Sequence, residues 1–83
     1  MQNILVTGCA GFIGSHFTEL CLDNGCSITG VDCLTYAGKI SNMSTFIDNI
    51  DFYEEDICST SRIIEILQTH KIDIIVNFAA ETH

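Results

Sequence analysis

Cationic side chains are the scarcest feature of this 83-residue chain: Lys+Arg number 3 against 11 Asp+Glu, a formal net charge of −8. A nucleic-acid backbone or an anionic membrane is held by clustered cations, so neither is the main partner. An anionic ligand would have to be held by backbone N–H groups instead. Charged residues make up only 17% of the chain and hydrophobic ones 47%, which excludes intrinsic disorder and a charge-rich coiled coil. No segment reaches the roughly 18 consecutive apolar residues of a membrane span, and the N-terminus lacks the basic start of a signal peptide. Proline and tryptophan are absent, which by itself decides nothing. The length is short of the roughly 100–150 residues of a typical domain, so two complete domains are excluded.

The cysteines Cys9, Cys21, Cys26, Cys33 and Cys58 are scattered. They form no C-x-x-C pair and no Cys/His spacing of a zinc site, so no metal site is expected. They read as reduced core or loop thiols of a cytoplasmic protein, in which the sequon Asn42-Met43-Ser44 is a chance match.

Two hydrophobic periods alternate along the chain. Ile4-Leu5-Val6 is an unbroken apolar run ending at Thr7-Gly8, the pattern of a buried parallel strand. From Phe12 to Asp23 the apolar positions Ile13, Phe17, Leu20 and Cys21 fall at helical spacing, and Asn24-Gly25 is a helix stop. Ile28 to Asp32 predicts a second strand, followed by a polar loop leading into a short helix around Ser41–Asp48. Phe52-Tyr53 marks a third strand. Ser59 is a candidate N-cap for a helix whose buried stripe is Ile63, Ile64 and Leu67, with His70-Lys71 near its C-terminus. Ile72 to Phe78 predicts a fourth strand.

This order calls for an α/β fold: a Rossmann-like parallel sheet of about four strands with flanking helices and right-handed crossovers. Ending there leaves a sheet face or edge unclosed. Residues 1–83 are therefore expected to be the N-terminal part of a single dinucleotide-binding domain of a longer protein, or a chain that depends on a partner.

The strongest chemical signal is the first strand-to-helix turn, where Gly8, Gly11 and Gly14 recur every third residue. Gly8 permits a tight turn, Gly11 lets a pyrophosphate approach the backbone, and Gly14 allows close packing of helix on strand. The N–H groups and positive dipole end of that helix can hold phosphates without a cation. No Lys follows, which removes the triphosphate P-loop reading. Turn glycines without a ligand are the alternative. Asp32 ends the second strand near the roughly 20-residue spacing at which a carboxylate accepts hydrogen bonds from an adenosine ribose. A carboxylate there repels a 2′-phosphate, and no Arg precedes Arg62, so NAD is expected over NADP. The competing reading is a strand-terminal Asp capping the next turn. Asp56 and Ile57 after the third strand would meet an adenine, or form a solvated acidic turn. Small Ala79 and Ala80 after the fourth strand would let a cofactor pass close to backbone. His16 reads as a surface or packing residue.

Thr7-Gly8-x-x-Gly11-Phe12-Ile13-Gly14 resembles the fingerprint of the extended short-chain dehydrogenases/reductases, a superfamily of nucleotide-sugar enzymes. Asp32-Cys33-Leu34-Thr35-Tyr36-Ala37-Gly38 resembles the D-x-L-T-Y-A-G loop of the dTDP-glucose 4,6-dehydratase family, and Asn77-Phe78-Ala79-Ala80-Glu81-Thr82-His83 resembles its h-x-A-A-E-S/T-H segment. The resemblance implies NAD as cofactor, with Phe12 and Ile13 near the pyrophosphate. It implies Asp32, Cys33, Leu34 and Thr35 around the ribose and Asp56-Ile57 at the adenine. Phe78, Ala79, Ala80 and Thr82 would line the nicotinamide half, with Thr82 also facing the sugar. It implies a dTDP-glucose substrate that loses water, and a homodimer for the full-length protein. The family's Tyr-x-x-x-Lys pair is absent: Tyr36 is followed four later by Ile40, and Tyr53 by Ile57. No catalytic residue is therefore expected in these 83 residues, and the chain alone is expected to be inactive. Another extended short-chain enzyme, such as a nucleotide-sugar epimerase or decarboxylase, and a non-catalytic dinucleotide-binding module are the alternatives.

Overall fold

In the computed structural model, which describes residues 2–34 and 39–79, the apolar run at the N-terminus becomes the central strand of a parallel sheet. Strand β1 spans Asn3–Thr7, helix α1 Phe12–Asp23 and strand β2 Ser27–Asp32. Two 3₁₀ turns, Ile40–Met43 and Ile47–Asn49, lead to strand β3, Asp51–Glu54. Helix α2, Thr60–His70, and strand β4, Ile74–Asn77, complete the order. The strands lie side by side as β3-β2-β1-β4, all parallel. Thr7 is in register with Val31 and with Asn77, so the C-terminal ends of β1, β2 and β4 form one rim.

Alternation along β1 sends its side chains to two different layers. Ile4 and Val6 pack with Cys9, Ala10, Ile28, Met43 and Phe46, joined from α1 by Phe17 and Cys21. Leu5 faces the other way and packs with Val31 and Ile66, joined from α2 by Ile63 and Leu67. This two-sided burial explains why Ile4-Leu5-Val6 is an unbroken apolar run rather than an alternating one.

Several elements depart from the periodicity reading. Helix α1 has the expected ends, but Ile13 and Leu20 are 65% and 60% exposed. The buried positions are Gly14, Ser15 and Thr18. Small residues win there because the helix lies too close to the sheet for a long side chain. The buried hydroxyls are satisfied within the helix: Ser15 Oγ donates to Phe12 O at 2.9 Å and Thr18 Oγ1 to Gly14 O at 2.8 Å. In α2 the buried isoleucine is Ile66, 1% exposed, whereas Ile64 is 48% exposed. The stripe therefore runs Ile63, Ile66, Leu67. Ser59 occupies the N-cap position but makes no side-chain capping bond. The short helix expected around Ser41–Asp48 is two 3₁₀ turns, and β4 is shorter at both ends than its apolar run.

Helix α2 ends at Lys71, which takes a left-handed backbone, φ 51°. A side chain in that region costs about 1–2 kcal/mol that glycine does not incur. Lys71→Gly is expected to raise stability by about 1 kcal/mol, seen as a higher urea midpoint with an unchanged slope.

Candidate functional site

The rim formed by Thr7, Val31 and Asn77 is crossed by the loop from Gly8 to Gly11. Gly8 has φ +76° and donates its N–H to Val31 O at 2.8 Å. A Cβ on Gly8 would lie 2.6 Å from the Phe78 carbonyl carbon and 2.7 Å from the Ala79 nitrogen, so the loop presses directly on the chain leaving β4. A Cβ on Gly14 would lie 2.1 Å from Gly8 O. Its need for glycine thus comes from the loop backbone beneath the helix rather than from the strand. Gly11 is the N-cap of α1, with extended backbone at φ −76° and ψ 169°.

The first turn of α1 receives no side-chain capping bond and contains no acidic residue. The N–H groups of Phe12, Ile13 and Gly14 have no intrahelical acceptor by geometry. They sit at the positive end of the helix dipole, at a first turn where Phe12 is 70% exposed. This donor set suits a phosphate.

Asp32 ends β2 beside this turn and is only 8% exposed. Its Oδ2 accepts the Ala10 N–H at 3.0 Å and its Oδ1 accepts the Leu34 N–H at 2.8 Å. Both alternatives weighed for Asp32 meet in one residue: it caps the following turn and it stands beside the glycine loop. Each carboxylate oxygen retains acceptor capacity, since a carboxylate offers about four lone-pair sites. Leu34 adopts φ 60°, a conformation rare for a non-glycine residue and one that its bond to Asp32 holds in place.

Cys33 of this turn lines an open polar depression of about 190 Å³ together with Glu54, Glu55 and Asp56. Asp56 Oδ1 accepts the Cys58 N–H at 2.9 Å, and Ile57 is 38% exposed nearby in sequence. The structure therefore brings Cys33 and Asp56 to one cleft, with Asp32 linked to its wall through the Glu55 N–H, which donates to Asp32 O at 3.1 Å. Glu55 is itself paired with Arg62 at 3.2 Å.

On the other side of the glycine loop, Phe78 and Ala79 follow β4. The Phe78 ring packs against Phe17 with centroids 5.2 Å apart, so this side chain anchors the segment to α1. Thr35, Ala80 and Thr82, also expected at the site, lie outside the described residues. Among the described residues no group of three or more His, Cys, Asp or Glu is placed to hold a metal ion, and no helix is long and apolar enough to cross a membrane.

Sequence reasoning missed two contributors. Asn77 Oδ1 accepts the Thr7 hydroxyl and also the Ala79 N–H at 3.0 Å, fixing the exit of β4 over Gly8. The register pairing of Thr7 with Asn77 is the only signal for it, and that becomes visible once β1 and β4 are aligned. Cys9 is wholly buried under the loop, and Gly30 makes room for it: a Cβ there would lie 2.6 Å from Cys9 Sγ. Burial, and then the charge of Asp32, push the Cys9 thiol up to about 12, which keeps it protonated and unreactive at neutral pH.

The family model described as GDP-mannose 4,6 dehydratase matches residues 5–83. The chain is 39% identical over 85 residues to a dTDP-glucose 4,6-dehydratase of Xanthomonas campestris pv. campestris, covering 100% of the chain and 24% of that protein. The fold is similar to the crystal structure of a dTDP-glucose 4,6-dehydratase from Bacillus anthracis in complex with NAD. That likeness has a TM-score of 0.92 and 38% identity, and covers 98% of this chain and 27% of the other. A UDP-glucose 4-epimerase from Thermotoga maritima, solved with UDP-glucose, is similar with TM-score 0.88 and 37% identity over 98% of this chain and 25% of its own. The chain spans about a quarter of the length of the relatives it matches.

Proposed function

We propose, from the premise that this chain belongs to the GDP-mannose 4,6 dehydratase family, that it is the NAD-binding portion of a dTDP-glucose 4,6-dehydratase. The observation that carries the reading is the juxtaposition of the uncapped N-terminus of α1 with the buried Asp32 carboxylate, bonded to Ala10 N–H of the same loop. Backbone donors at Phe12, Ile13 and Gly14 suit the pyrophosphate, and the remaining lone pairs of Asp32 suit the two ribose hydroxyls. Adenine would lie in the cleft of Cys33 and Asp56, beside Leu34 and Ile57, and the nicotinamide half would run along Phe78 and Ala79 toward Ala80 and Thr82. Thr35 would complete the ribose contacts, and Thr82 would also face the sugar.

The acidic lining of the cleft selects the cofactor. Glu54, Glu55 and Asp56 surround it, and an added 2′-phosphate would stand among carboxylates. Held there, NAD would supply a reversible hydride acceptor for the sugar. These 83 residues bind and orient. Residues elsewhere in the parent protein supply the acid, the base and the sugar pocket, which makes residues 1–83 the N-terminal part of one larger domain. The same reading carries a cytoplasmic location and a homodimeric full-length protein, the latter tested by sedimentation.

A nucleotide-sugar epimerase is the second reading, favoured by the likeness to the Thermotoga structure. The two are separated by product. The full-length protein is expected to bind NAD in preference to NADP by calorimetry and to convert dTDP-glucose to a product lighter by one water. An isomer of unchanged mass would favour the epimerase, and a preference for NADP would overturn the assignment of Asp32.

A further inference from the structure

We infer that Cys21 and Cys26 form a reversible dithiol–disulfide site at the C-terminal end of α1, oxidised by small-molecule disulfides of the glutathione class. The argument begins with the way the helix stops. Gly25 takes φ +84°, its N–H donates to Leu22 O at 3.0 Å, and the Cys26 N–H donates to Cys21 O at 3.0 Å. These two bonds define a Schellman motif, in which the first and last residues bring their side chains together, usually as an apolar contact. Helix α2 ends in a related way. Lys71 is left-handed, the Ile72 N–H donates to Leu67 O at 3.2 Å, and Leu67 and Ile72 both pack on the cluster of Leu5, Val31 and Ile66.

In α1 the pair in the equivalent positions is two cysteines. Both are half-buried and both pack against the cluster around Ile4 and Val6. The Cys26 side chain is near enough to push the Cys21 thiol up. A backbone hydrogen bond between the two residues themselves keeps their Cα atoms near the roughly 4.4–6.8 Å that a disulfide spans. The spacing is C-x-x-x-x-C, which no redox or zinc motif signals in the sequence, because the helix ending creates the proximity.

Burial, and then the neighbouring Cys26, push the Cys21 thiol up, which disfavours its thiolate as the first attacking group. The Cys26 thiolate attacks one sulfur of the small disulfide, forming a mixed disulfide and expelling one thiolate. Cys21 then gives up its proton and attacks the Cys26 sulfur, forming the Cys21–Cys26 bond and expelling the second thiolate. The two cysteines are oxidised and the small disulfide is reduced, its two expelled thiolates taking the two cysteine protons to become thiols. The site lies about 13 Å along α1 from the first-turn N–H groups, so its success or failure is independent of the NAD reading.

The test equilibrates the protein with mixtures of reduced and oxidised glutathione, quenches with acid, alkylates, and cleaves before Asp23, between the two cysteines. Mass spectrometry is expected to find the two flanking peptides linked through Cys21 and Cys26, in preference to any bridge involving Cys9, Cys33 or Cys58. In Cys21→Ser the reaction is expected to stop at glutathione on Cys26, and in Cys26→Ser no bridge to Cys21 forms. Full alkylation of Cys21 and Cys26 at a glutathione ratio where Cys33 and Cys58 already carry glutathione would overturn the inference. So would bridges joining either cysteine to another position.

Discussion

Gly14→Ala is expected to destabilise the protein by about 3 kcal/mol, enough to lower Tm by at least about 6 °C. The added methyl would sit 2.1 Å from the Gly8 carbonyl oxygen, 2.9 Å from its carbon and 3.3 Å from Cys9 Cα, all of them backbone. No rotamer change relieves such a clash. The helix must rise off the loop, and the buried bonds of Ser15 and Thr18 rise with it. Gly11→Ala is the informative contrast. Among the described residues its Cβ would meet only Gly8 O, at 3.3 Å, and its backbone is in a region open to any residue. That variant is expected to remain folded while losing NAD affinity, because the methyl stands where a pyrophosphate approaches the backbone. Thermal melting and calorimetry on both variants separate the roles. Equal Tm values for Gly14→Ala and the parent would refute the close approach.

Asp32→Ala is expected to act on two quantities at once. It orphans the Ala10 and Leu34 N–H groups, the first of them on a fully buried residue, at about 1–3 kcal/mol for each unsatisfied group. On the proposed reading it also removes the acceptors for the ribose hydroxyls, weakening NAD binding by about 1–3 kcal/mol, roughly fivefold to 150-fold. Urea unfolding without NAD reads the first effect, and calorimetry on the folded fraction reads the second. A stability loss with unchanged affinity would make Asp32 a loop-fastening residue alone.

Much of this architecture was legible because its chemistry is local. The change of period after Gly8, the stop at Asn24-Gly25 and the carboxylate at Asp32 are each decided by a few neighbouring residues. What was not legible depends on partners far along the chain. Periodicity weights large apolar side chains, so Ile13 and Leu20 were assigned to a face that in fact buries Gly14, Ser15 and Thr18. Ile64 and Ile66 compete for one core position, and the sheet surface decides between them. The tie that the Asn77 amide oxygen makes between Thr7 and Ala79 depends on the register of β1 against β4, which no local pattern shows. Cys21 and Cys26 looked unrelated because the Schellman turn, rather than a motif, brings them together.

The central place of β1 also has a kinetic meaning. Asn3 donates its N–H to the Asp73 carboxylate at 2.9 Å and its side-chain amide to the carbonyls of His70 and Lys71, each at 3.3 Å. These contacts join residues 67 to 70 positions apart, and closing such a loop costs entropy before the pairing rewards it. On the ribosome, β1 can pair with β2 once α1 has emerged, but its other edge stays open until β4 is synthesised. An early chain thus carries an apolar strand with one bare edge until β4 has emerged, the interval in which a holding chaperone would matter most.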